Sequence, residues 1–208
     1  MSWWGWTALL SGAIALSGCS LGEGEGEVAS DRLTVASCYE GPFELSPDFF
    51  AAVPYRRTLT IRVQHGGDTE EVSDGVIVLV DDIDQVRSRL GQPLRVAQPP
   101  NVVPPGHPVV ADPNPALIHL TLYLHRSCHA QNSVLYSVDG QITFHSIFNG
   151  NPNETNATEM LTEAEFADIV VADPRDEPPD GGPIANTSHL RGRFKFYFQR
   201  GQPAQPFP

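Results

Sequence analysis

One stretch, His189 to Gln199 (HLRGRFKFYFQ), constrains this chain more than any other. Leu190, Gly192, Phe194, Phe196 and Phe198 fall on one side; Arg191, Arg193, Lys195, Tyr197 and Gln199 fall on the other. A period of two is the period of a β-strand. Three phenylalanines on one face need an apolar layer opposite them, so the pattern predicts two packed layers of sheet. The outward cations suit a solvated face and would guard an edge strand against pairing with other chains. Their alternative reading is a dock for an acidic partner.

Other segments carry the same signature. Thr58 to Gln64 alternates, with Leu59, Ile61 and Val63 on one face. Gly75 to Val80 (GVIVLV) is apolar throughout, as in a strand covered on both faces. Ala116 to His125 places Ile118, Leu120, Leu122 and Leu124 opposite His119, Thr121, Tyr123 and His125. Ser133 to Phe148 reads as a hairpin turning at Asp139-Gly140, the preferred pair for a type I′ turn. That register sets Leu135 opposite Phe144 and Ser137 opposite Ile142. Short strands are expected at Leu33–Ala36 and Leu94–Ala97, and a further strand over the second half of Leu161–Ala172. Asp81 to Leu90 is the one convincing helix, with Ile83, Val86 and Leu90 on its buried face and acids before bases along the dipole. Ser46-Pro47-Asp48 reads as a helix N-cap, leading into core residues Phe49 and Phe50. Gln98 to Pro115 holds seven prolines and no periodicity, so it is a loop. The expected class is all-β with minor α: one antiparallel β-sandwich domain over 32–200, with one short helix and a long Pro-rich crossover, then a loose tail at 201–208.

The amino end has a different character. Trp3 to Leu16 is an uncharged, largely apolar run, too short for a comfortable bilayer span but suited to the core of an export signal. It closes on Leu16-Ser17-Gly18-Cys19. These four residues resemble the lipobox of bacterial lipoproteins: a branched aliphatic residue, two small residues, then cysteine. The resemblance covers about 20 residues. It implies that 1–18 is a signal peptide removed on export, that the Cys19 thiol is lipidated, and that Cys19 becomes the acylated first residue. Ser20, where an Asp would imply retention in the inner membrane, implies the outer membrane. The alternatives are an ordinary cleaved signal or an N-terminal anchor. Residues 19–31, with SLGEGEGEVAS after the cysteine, read as a flexible Gly/Glu tether.

Three cysteines are present, and lipidation of Cys19 leaves Cys38 and Cys128. Export favours disulfides, so a Cys38–Cys128 bridge is expected, with two buried thiols as the alternative. The net charge of −12 repels nucleic acid and anionic headgroups, so no nucleic-acid role is expected, and attachment to membrane falls to the lipid.

Candidates for chemistry are sparse. Histidines His125, His129 and His145 near Cys128 are of zinc-ligand type. Yet no C-x-x-C or H-E-x-x-H spacing is present, and a bridged Cys128 cannot also bind metal as a thiolate. No nucleophile elbow, phosphate loop or dinucleotide fingerprint appears, so neither a catalytic residue nor a cofactor is expected. The sequence therefore suggests a lipid-anchored envelope lipoprotein acting as a non-catalytic binding or structural module, with an envelope protein as its possible partner. The alternative is a secreted hydrolase or metal-dependent enzyme built on those histidines.

Overall fold

The computed structural model describes residues 24–36, 38–66, 73–102, 112–128, 133–173, 176, 178, 182 and 184–200. Expectations for the signal peptide, for Cys19 and for the tail at 201–208 lie outside the described residues, as does much of the proline-rich segment. The elements in order are β1 (Gly24–Val35), β2 (Tyr39–Leu45), β3 (Phe49–Tyr55), β4 (Thr58–Gln64), β5 (Asp74–Val80), α1 (Ile83–Arg87), β6 (Pro93–Arg95), β7 (Ile118–Leu124), β8 (Val134–Ser146), α2 (Ala157–Met160), β9 (Leu161–Ala172) and β10 (Ser188–Tyr197). The strands hydrogen-bond in the order β2-β1-β10-β9-β8-β7-β5-β4-β3, with β6 added on β8. The class is thus all-β, with two short helices where one was expected.

The sandwich is made from a single curled sheet, and β8 is the strand that both layers share. One edge of β8 holds β9 along nearly its whole length. Its other edge pairs with β7 through Leu135 and Tyr136, then with β6 through Ile142 and Thr143. One layer is therefore β2-β1-β10-β9-β8 with β6, and the other is β8-β7-β5-β4-β3. A strand that changes layers at a bend is a usual way of turning such a corner. Between the layers, Phe50 on β3 stacks on Phe196 on β10 with ring centroids 5.7 Å apart, and Phe148 stacks on Phe198 at 4.0 Å. The phase expected for β10 holds: Leu190, Phe194, Phe196 and Phe198 are all buried.

The bend in β8 corrects the hairpin expectation. Asp139-Gly140 does not turn the chain; it lies inside one strand of 13 residues, at a register irregularity against β9. Gly140 has φ 117°, and a Cβ there would sit 2.5 Å from the Asp168 carbonyl oxygen. Both a type I′ turn and a bulge ask for a residue with positive φ, so the dipeptide alone cannot choose between them. The choice is made by β9, long enough to pair on both sides of the irregularity. Gly140→Ala is accordingly expected to destabilise the fold by about 1–3 kcal/mol, through backbone strain and the clash with Asp168. Urea melts of the two proteins measure this, and an unchanged midpoint would contradict the bulge.

A second correction falls on the expected tether. Its last eight residues, 24–31, belong to β1, which pairs with β10 from Gly24↔Phe196 to Ala29↔Arg191. Glycine is there for close approach rather than freedom. A Cβ on Gly24 would lie 2.7 Å from both the Phe196 Cβ and the Phe50 ring, and one on Gly26 would lie 3.2 Å from each of Phe194 and Phe50. The aromatic rings fill the space that side chains would otherwise take.

Three smaller expectations also change. Ser46 to Asp48 caps no helix, because Phe49–Tyr55 is strand β3; Phe49 and Phe50 are nonetheless fully buried. Pro54 is tolerated there because β3 pairs only with β4 and so forms a sheet edge. The helix at 81–90 shortens to Ile83–Arg87. Asp82 caps it by accepting from the Gln85 amide at 3.1 Å, and hydrogen bonds from Gln85, then Arg57, hold the Asp82 carboxyl below its usual range. Beyond Arg87 the helical period no longer applies, so Leu90 is 39% exposed instead of buried. Finally, β9 spans all of Leu161–Ala172, not only its second half.

Candidate functional site

The Cys38–Cys128 bridge is formed, with Cα atoms 5.6 Å apart. Each cysteine sits in a short backbone-bonded turn: the Cys38 amide donates to Val35 O and the Cys128 amide to Leu124 O, both at 3.0 Å. The bridge ties the β1–β2 turn of one layer to the end of β7 in the other.

The histidines do not converge. His119 is buried, with Nδ1 2.9 Å from the Ala97 carbonyl oxygen and Nε2 3.2 Å from Asp81 Oδ2, so both nitrogens are occupied. His125 leans on the Tyr123 ring at 5.2 Å, and its buried Nε2 has no hydrogen-bond partner among the described residues. His145 stands on the exposed face of β8 and meets Glu165 at 3.1 Å. His129 lies outside the described residues. Among the described residues no three histidine, cysteine, aspartate or glutamate side chains come together as a metal-binding group.

The polar cluster beside His125 is structural. Asp74 accepts hydrogen bonds from the Arg126 and Ser127 amides at 2.9 and 3.0 Å and from Ser127 Oγ at 2.5 Å. It thereby fixes the turn that delivers Cys128. Tyr123 donates to Gln64 Oε1 at 2.7 Å, and burial pushes its phenol well above the ordinary range. Burial likewise lowers the Arg62 guanidinium.

The surface feature of interest is a trough of about 1040 Å³ on the charged outer face of the β2-β1-β10-β9-β8 layer. Residues from β1, β8, β9 and β10 line it together with the end of β2 and with β6. Ala29 and Ala167 leave room there. No family model, curated protein or solved structure matches this chain. The trough must therefore be read from its own chemistry.

That chemistry is a ladder of charge. Strand β10 carries the cations and lies between two acidic strands. Arg193 stands opposite Glu27 on β1 and Glu165 on β9; Lys195 stands opposite Glu25 and Glu163. Ion pairs form at Arg193–Glu27 (3.0 Å), Arg191–Asp31 (2.6 Å) and Lys195–Glu163 (3.3 Å). His189 meets Asp168 at 2.5 Å, and Arg95 on β6 meets Asp112 at 2.5 Å. The β10 cations thus guard no edge, because their strand is paired on both sides. Exposed pairs of this kind are each worth about 0.2–1 kcal/mol, so they fix register and surface charge more than stability. The sequence held a signal for this ladder: acids alternate in GEGE at 24–27 and in EAE at 163–165, matching RGRFK at 191–195.

Proposed function

We propose that this chain is a lipid-anchored lipoprotein of the bacterial envelope, favouring the outer membrane, and that it acts as a non-catalytic binding module through the trough. The observation that carries this reading is the pairing of Cys38 with Cys128. It accounts for two of the three cysteines and leaves Cys19 alone, at the end of the uncharged run. A disulfide across the two layers also suits an exported protein. Binding is favoured over catalysis because the acids and bases of the trough stand on an exposed face, mostly paired with one another. Catalytic acids and bases draw their altered pKa values from apolar surroundings instead. Attachment is assigned to the lipid on Cys19, because the uncharged run closes on Leu16-Ser17-Gly18-Cys19.

The test is fractionation of the native host. The wild-type protein is expected in the membrane fraction with an acylated amino-terminal Cys19. Cys19→Ala is expected in the soluble envelope fraction, or retained with residues 1–18 uncut. Mass spectrometry showing an unmodified Cys19 thiol in the native protein would overturn the proposal.

A further inference from the structure

We infer that the trough receives an extended, lysine- or arginine-rich segment of a partner protein. This rests on the binding-module reading above and gives the partner a chemistry. Every cation on this part of the face is already matched: Arg191 holds Asp31, Arg193 holds Glu27, Lys195 holds Glu163 and Arg95 holds Asp112. Acids are left over. Glu44 and Asp139 line the trough and make no ion pair among the described residues, while Glu165 and Asp168 pair with the imidazoles of His145 and His189, Glu165 standing across from an Arg193 that Glu27 already holds. An anion entering the trough meets cations that are all engaged; a cation meets four carboxylates. The net charge of −12 acts in the same direction, attracting a basic partner and repelling nucleic acid, anionic headgroups and a second copy of this chain.

Size decides between a small cation and a chain. Glu44 is the last residue but one of β2 and Asp139 lies in β8, with β1, β10 and β9 between them. At about 4.8 Å per strand spacing the two carboxylates are on the order of 19 Å apart. One metal ion or one ammonium reaches only one of them, whereas an extended peptide of about six residues spans both. The lining favours a peptide further. Pro93 stands exposed among the acids, and the methylene stems of lysine and arginine can cover its ring.

The experiment titrates the mature, full-length protein in detergent micelles against a labelled peptide. The peptide alternates lysine and valine, is about a dozen residues long, and is followed by fluorescence anisotropy. Saturable binding that weakens with added salt is expected. Replacing Glu44→Gln together with Asp139→Asn should weaken it about tenfold, as loss of two partly screened charge contacts allows. The charge-matched pair Asp84→Asn with Asp176→Asn, which lines no part of the trough, should leave it unchanged. Equal losses in the two variants, equally tight binding of spermine, binding of a glutamate–valine peptide or no binding at all would each overturn the inference. Cys19 acylation is read separately, so failure of the anchor and failure of the peptide site cannot be confused.

Discussion

Phe196→Ala is expected to lower the unfolding free energy by about 3–5 kcal/mol, the usual cost of deleting a fully buried phenylalanine. Phe196 is 1% exposed and stacks across the layers on Phe50. The cost should fall in the upper part of that range, because the site has little means of collapsing. On the β1 side, Gly24 already brings backbone to within contact of the Phe196 Cβ and the Phe50 ring. Phe194, tilted against Phe196 at 6.3 Å, is held by its own strand. The cavity left by the ring therefore stays open, and cavity volume adds to the lost transfer energy. Urea denaturation followed by circular dichroism measures the change, with an unaltered m-value showing that the variant still unfolds from the same compact state. A loss below about 1 kcal/mol would mean that Phe196 is not shared by the two layers.

The parts of this fold that were legible in the sequence are those where one residue type answers one local question. The alternation at 189–199 gave the inward face of β10, because burial on one side and water on the other impose a period of two. GVIVLV gave a strand covered on both faces, and Cys38 with Cys128 gave the bridge. What the sequence hid are the places where one residue type answers several questions. Glycine in GEGE serves a flexible linker and also a strand pressed against aromatic rings; only Phe50, far along the chain, makes the second reading true. Asp-Gly serves a tight turn and also a bulge, and β9 decides between them. Ser46-Pro47-Asp48 reads as a helix N-cap and instead leads into strand β3, whose Pro54 marks a sheet edge. The trough was hidden for the same reason. Its charges come from six strands, and the basic patch on β10 looks available to an acidic partner until β1 and β9 supply its counter-ions.

Removing the disulfide, by Cys38→Ala with Cys128→Ala or by reduction, is the other change expected to have a large effect. The bond joins residues 90 apart in sequence. In the chain-entropy account a loop of that length stabilises the folded state by about 4–5 kcal/mol, chiefly by restricting the unfolded chain. Its position adds to the consequence. Every other covalent path between the β1–β2 turn and the end of β7 runs through most of the first half of the molecule, including the proline-rich segment before β7. The bridge shortens that path to two residues and sets β1, hydrogen-bonded to β10, in fixed relation to β7, hydrogen-bonded to β5 and β8. The oxidised protein and the double-alanine variant should differ in urea midpoint, and the variant should be indifferent to reductant. Cys128 is 2% exposed, so reduction of the native protein should be slow until local opening admits the reductant. Peptide mapping without reduction should recover one joined pair of peptides containing Cys38 and Cys128. Two freely alkylated thiols in protein taken from the envelope would contradict the bond. They would also leave the Cys128 thiol available near His125, whose buried Nε2 has no hydrogen-bond partner among the described residues.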